Sequence, residues 1–277
     1  MRTFYVSIAF LLALSACSTQ QESAEEIQQT QTAEIENPTN QVKLVSDVEW
    51  EQLNPARGDQ SPKAGTVWGD RKDTVPTGFL AEFVDGFSSP PHIHNVTYRA
   101  VVINGLVHND DPAAAKMWMP SGSFWTQPVG EAHITAVKGS KNIAYVENDK
   151  GPYLVHPINE AFDSGERPVN IDAANVVWSE ESADGVKKAY LWGSPLKGEL
   201  YGSFLKLPAG YDGTITSDGE VFRAIVIQGS PLYQLPGEAT PSVLDPGSSF
   251  SSKGDALHSI STDAETLIYV RTNGLVD

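Results

Sequence analysis

The sequence predicts an all-β protein made of two copies of one barrel-forming unit. Short apolar or alternating runs, among them KLVSDVEW, GFLAEFV, TYRAVVING, HITAV and NIAYVEN, follow one another between Gly, Pro, Asn and Asp signals, the pattern of strands and turns. Apart from short ambiguous stretches such as 159–162, no segment holds a helical period. The chain also repeats itself: Trp68-Gly69 recurs as Trp192-Gly193, Gly78 as Gly202, Gly86 as Gly210, Arg99 as Arg223, Gly105 as Gly229 and Tyr145-Val146 as Tyr269-Val270, each 124 residues apart. Gly122 and His133 recur 125 residues on, as Gly247 and His258. Evenly spaced short strands in a repeated unit suit two tandem jelly-roll barrels.

The elements in order begin with a segment of another kind. Arg2 precedes the apolar run 4–14, too short to span a bilayer and of the length of a secretory leader's core. Leu14-Ser15-Ala16-Cys17 resembles the bacterial lipobox, which implies cleavage before Cys17, acylation of that residue and anchoring by lipid in the cell envelope, with Ser18 directing the protein to the outer membrane where there is one. Cys17 is the only cysteine, so no internal disulfide forms despite the exported destination. Residues 18–42, rich in Gln, Glu and Thr, read as a flexible tether. Residues 43–156 read as the first barrel, 157–174 as a connector and 175–277 as the second barrel. With 35 acidic against 19 basic residues, a formal net charge of −16 repels phosphate backbones, so nucleic-acid binding is excluded as a working hypothesis.

The chemistry concentrates between Gly86 and His133. His92 and His94 are one residue apart in a segment that continues into an apolar run, so in a strand both imidazoles face one side. His133 follows 39 residues after His94, behind the turn formers Gly122, Pro128 and Gly130, as expected of a later strand folding back beside the first. Three neutral imidazoles can converge on one metal and leave positions open. The segments Gly86, five residues, His92-Ile93-His94 to Gly105, and Gly122, five residues, Pro128-Val129-Gly130, two residues, His133, resemble the two motifs of the cupin superfamily. Over residues 43 to 277 the chain resembles exported bicupins of a cupin-like family known only as the domain of unknown function DUF4437. The resemblance departs where cupins often carry a glutamate ligand, because that position is Tyr98, and a three-His site is implied.

Period two puts Tyr98 on the inward face, where it assists a metal-bound group or simply fills the barrel. Glu131, two residues before His133, is a candidate base or a solvated turn carboxylate. Arg99 and Arg223 have outward parity, and their recurrence in both copies reads as a structural ion pair or a contact between the lobes rather than catalysis. In the second copy His92 aligns with Thr216, His94 with Asp218 and Tyr98 with Phe222, leaving only His258, beside Asp218, and a degenerate site. Three-His cupins resemble acetylacetone-cleaving and gentisate-type dioxygenases, which implies a metal-dependent oxygenase acting on a small anionic substrate. Fe(II) or Zn leads the metal expectation, with Mn, Ni or Cu as alternatives in an oxidising compartment. The competing expectation is a non-catalytic metal- or ligand-binding surface lipoprotein, and pairing into a homodimer through the second barrel stays open.

Overall fold

The computed structural model describes residue 1, residues 38–179 and residues 181–277. The leader, Cys17 and the tether as far as residue 37 lie outside the described residues. The regular structure of the described chain is antiparallel sheet apart from four short 3-10 turns, and it forms two tandem cupin jelly rolls.

The first barrel has a seven-stranded wall in the spatial order Val169–Ile171, Phe124–Gln127, Tyr98–Asp110, Ile134–Asn148, Thr77–Phe83, Lys63–Trp68, Trp50–Gln52. Its two longest strands, Tyr98–Asp110 and Ile134–Asn148, belong to both walls. Their register breaks on either side of Asn104, and Gly105, at φ +82°, turns the corner where a side chain would be strained. Beyond the bend, His92–His94 lies against the far wall through a bridge from His92 to His133. The second barrel repeats the plan, with Phe222–Gln228 and Thr266–Thr272 at the centre of a six-stranded wall and Asp212–Ser217 paired with Ala256–Ser261 in the other.

Three apolar cores result. Tyr98, Ala100 and Val102 face the interior of the first barrel with Phe79 and Trp125, while Val101 and Ile103 of the same strand face a layer shared with Phe204, Ile225, Leu267 and Tyr269 of the second copy. Phe222, Ala224 and Val226 fill the second barrel with Tyr233 and Phe250. Burial on both faces explains why TYRAVVING is a continuous apolar run rather than an alternating one.

The joining layer follows the repeat. Trp68 Nε1 donates to Tyr145 Oη at 2.9 Å, and Trp192 Nε1 to Tyr269 Oη at 2.8 Å. Gly78 recurs as Gly202 because each indole lies against that backbone: a Cβ at Gly78 would sit 2.2 Å from Trp68 Nε1. Arg99 reaches across to lie 3.7 Å over the Trp192 ring and also pairs with Asp149 at 3.0 Å, and Arg223 lies 3.9 Å over Trp68, so both arginines make the lobe contact and Arg99 the ion pair as well. One equivalent pair breaks the symmetry. Glu147 and Arg271 occupy the same place in the two copies, and they meet: Arg271 Nη1 donates to Glu147 Oε1 at 3.2 Å, both side chains buried. The hydroxyls of Tyr145 and Tyr269 donate to the same carboxylate at 2.9 and 2.7 Å.

Two stretches read from sequence as connections are strands. Gln41–Lys43, the end of the expected tether, pairs with Ser249–Ser251 of the second barrel. Val169–Ile171, inside the expected connector, pairs with residues 124–126 of the first. The strand ahead of each copy is thus laid on the other. Such pairing is non-local, and neither three-residue segment has the length or alternation to announce itself.

Candidate metal centre

His92 and His94 project from one short strand, held on one side by Val155–Pro157 and on the other by the bridge to His133. His133 and His94 are buried and His92 is half-buried. The ring centroids of His92, His94 and His133 lie 4.3 to 5.2 Å apart, and one nitrogen from each falls within 4.8 Å of the others.

The fold decides which nitrogen each ring presents. His92 Nδ1 donates to Pro90 O at 2.9 Å, His94 Nδ1 to Leu154 O at 3.0 Å and His133 Nδ1 to Glu131 O at 3.3 Å. A carbonyl only accepts, so each proton sits on Nδ1 and each Nε2 offers its lone pair. Burial keeps the rings neutral. It lowers His92, takes His133 down to about 3, and with the repulsion of His133 and His92 holds His94 well below the ordinary range.

Tyr98 stands where the sequence puts it, facing this cluster. Its hydroxyl donates to Asn109 Oδ1 at 3.0 Å, and Thr135 Oγ1 donates to the same oxygen at 2.7 Å. Asn109 Nδ2 in turn donates to Gln127 Oε1 at 2.9 Å, and Gln127 Nε2 to Glu131 O at 3.1 Å. Because a main-chain carbonyl ends this relay, the direction of every donor in it is fixed. The Tyr98 proton therefore points away from His133, and two lone-pair atoms, Tyr98 Oη and His133 Nε2, face each other 3.5 Å apart. A cation suits that space, and three neutral imidazoles are a borderline-soft donor set for a divalent transition metal or zinc.

Glu131 enters the site through its main chain. It lies in the turn after Gly130 (φ +77°), ahead of the strand Ile134–Asn148. Its carboxylate instead borders a shallow surface hollow with Phe162, Asp163 and Arg167. Sequence reasoning missed Tyr153, whose ring stacks on His94 at 4.5 Å and whose hydroxyl donates to His94 Nε2 at 3.2 Å. It also missed Asn109 and Gln127. No motif spacing marks these residues, and Asn109, eleven residues after Tyr98, has outward parity by period two until the register breaks at Asn104 reset the strand.

Over the cluster lies a cavity of about 300 Å³, at the lower end of the range for small-molecule sites, walled by Phe79, Phe83, Phe87, Trp125 and Tyr153 with His92 and His94 at its base. The second barrel has no such centre among the described residues. Ile215, paired with His258, takes the place that His92 holds opposite His133, and Ser217 takes that of His94. This is one residue out of step with the alignment to Thr216 and Asp218, because the second copy carries an extra residue before Phe222. Asp218 faces away and pairs with Lys197 at 2.7 Å. Both nitrogens of His258 are used: Tyr233 Oη lies 2.8 Å from Nδ1 and Ser252 Oγ 3.1 Å from Nε2, with Phe222 stacked on the ring at 4.4 Å.

Solved structures with this fold span several activities. A protein of Nostoc punctiforme, named provisionally as a dioxygenase, superposes with a TM-score of 0.65 at 15% identity, over 88% of this chain and 85% of its own. Salicylate 1,2-dioxygenase from Pseudoaminobacter salicylatoxidans, with gentisate adducts, gives 0.55 at 12% identity, over 85% and 81%. Oxalate decarboxylase from Lactobacillus farciminis, in complex with formate, gives 0.56 at 10% identity, over 87% of each chain. At these identities the likeness is one of fold. No curated protein matches the sequence. The family profile described as Domain of unknown function (DUF4437) matches residues 41–277, most of the chain, and the chain belongs to that family.

Proposed function

We propose that this protein is an exported, lipid-anchored metal enzyme in which His92, His94 and His133 hold one divalent cation, Fe(II) or Zn first, for an oxygenase-type reaction on a small anionic substrate. The observation that carries this reading is the convergence of three neutral imidazoles, each with its Nδ1 held by a carbonyl, two of which, His92 and His94, line an apolar cavity. A divalent cation there keeps its full charge, with no carboxylate in the ligand set, and supplies a Lewis-acid centre suited to a bidentate β-diketonate, enolate or hydroxy acid. The chain's own residues do the rest. The carbonyls of Pro90, Leu154 and Glu131 hold the three rings in one tautomer and orientation. The aromatic walls exclude water. Tyr98, tied through Asn109 to Gln127, stays a neutral phenol because burial raises its pKa. Tyr153 is free to donate to a substrate oxygen once His94 Nε2 is engaged.

Elemental analysis of the chain lacking its leader, purified without chelators or added metal, tests this. One equivalent of metal is expected in the wild type and less than about a tenth in the His92→Ala/His94→Ala variant, since ligand loss exceeds the roughly 100-fold cost of losing an orienting partner. No metal in either, and no uptake of offered Fe(II) or Zn, would sink the reading. A non-catalytic binder is the second reading, favoured because no carboxylate lines the cavity among the described residues. Oxygen consumption with β-dicarbonyls and gentisate-like acids separates the two. The anchor has its own check: metabolic palmitate labelling should be lost on Cys17→Ala, and label retained in that variant would refute it.

A further inference from the structure

The rim of the metal cavity holds one cation that the site chemistry above does not use. Among the described residues lining the cavity, Arg57 is the only one with a permanent charge. It is exposed, its Cζ lies 4.9 Å over the Phe87 ring, and its guanidinium makes no ion pair or side-chain hydrogen bond among the described residues. In a chain of net charge −16, an arginine left unpaired beside a pocket is a poor device for stability.

The segment that carries Arg57 is held in place at both ends. Leu53 N donates to Pro62 O at 2.8 Å, Asn54 N to Ser61 Oγ at 2.9 Å and Ser61 N to Gly58 O at 3.0 Å. Asn54 caps the 3-10 turn by accepting from Ala56 N, and Arg57 N donates to Asn54 O at 3.0 Å. Stacking on Phe87 restricts the guanidinium further and leaves its edge N–H groups free, the arrangement that suits a planar carboxylate. The repeat provides a control. In the barrel without the three histidines the corresponding turn is four residues shorter, since Ser179 bonds Lys188 where Glu51 pairs with Ala64, and its residues 181–186 include no Lys or Arg. Cation and histidines thus occur together in one copy and are missing together from the other.

We propose that Arg57 is the specificity-determining residue of this site, recognising an acid group at the end of the substrate remote from the metal. The substrate class is then an apolar body, small enough for about 300 Å³, with a chelating head toward His92 and His94 and a separate carboxylate at the solvent-facing rim. This rests on the three-His reading, but the two can fail separately.

The test is titration calorimetry of Zn-loaded protein with two probes that share a β-diketone head, 4,6-dioxoheptanoate and its acid-free counterpart heptane-2,4-dione. Wild type should bind the acid about tenfold more tightly, as expected for a charge-assisted pair. Arg57→Ala should abolish that preference while leaving heptane-2,4-dione affinity and zinc content unchanged, and Arg57→Lys should keep part of it. Equal affinity of wild type for both probes, or a preference that survives Arg57→Ala, overturns the assignment of Arg57 and leaves the metal site standing. Binding of neither probe to protein that holds zinc overturns the substrate class together with the chelation reading.

Discussion

Replacing Glu147 with alanine should lower the unfolding free energy by about 3–5 kcal/mol, the usual consequence of leaving one member of a buried ion pair alone. Three donors lose their acceptor at once: Tyr145 Oη, Tyr269 Oη and Arg271 Nη1. Arg271 keeps Asp149, to which its Nη2 donates at 2.6 Å, but half of its guanidinium is then buried without a partner. The paired change Glu147→Met/Arg271→Met removes both charges in similar volume and should recover most of the loss. Urea denaturation at pH 7 reads both. An alanine variant within about 1 kcal/mol of wild type would mean that water reaches the pair and that the layer between the barrels is looser than its contacts imply.

Acidification should weaken the second barrel through His258. Burial holds this ring down to about 3 in the folded protein, from an ordinary value of 6.5. Between those two values the unfolded chain binds the proton and the folded one does not. The stability contributed by the neutral ring is therefore complete above pH 6.5 and declines as pH falls, reaching its full loss near pH 3. The slope from this one group is at most about 1.4 kcal/mol per pH unit. His258→Gln keeps a donor and an acceptor for Tyr233 and Ser252 but does not titrate. Whatever it costs at neutral pH, its stability should fall more gently between pH 6 and 4 by about that slope. Parallel acid limbs for the two proteins would show that His258 protonates without unfolding the barrel.

How much of this was legible in the sequence follows from the range of each interaction. The two barrels could be read because a shared offset of 124 residues ties Trp68, Gly78, Arg99 and Tyr145 to their counterparts, and such a pattern needs no contact information. The three histidines could be read because strand parity is local and His92 and His94 are one residue apart. The fixed offset failed inside the second copy, where an extra residue before Phe222 put Thr216 and Asp218 in the places that Ile215 and Ser217 hold. Tyr153, in the irregular stretch after the last long strand of the first copy, and Arg57, on a 3-10 segment, reach the cavity by tertiary placement alone. The exchanged strands were hidden for the same reason, each being three residues long and paired with a distant partner.

That exchange bears on when the molecule can finish folding. Thr39 Oγ1 donates to Lys253 O across 214 residues of chain, and Gln41–Lys43 closes an edge of the second barrel that is synthesised almost last. Contacts of such separation are entropically late, and a domain-by-domain order from the N-terminus cannot make them. The first barrel likewise waits for Val169–Ile171, which follows all of its other strands. The first of the described strands is thus among the last to be seated, so the second barrel keeps an open sheet edge until nearly the whole length of the chain is available to fold.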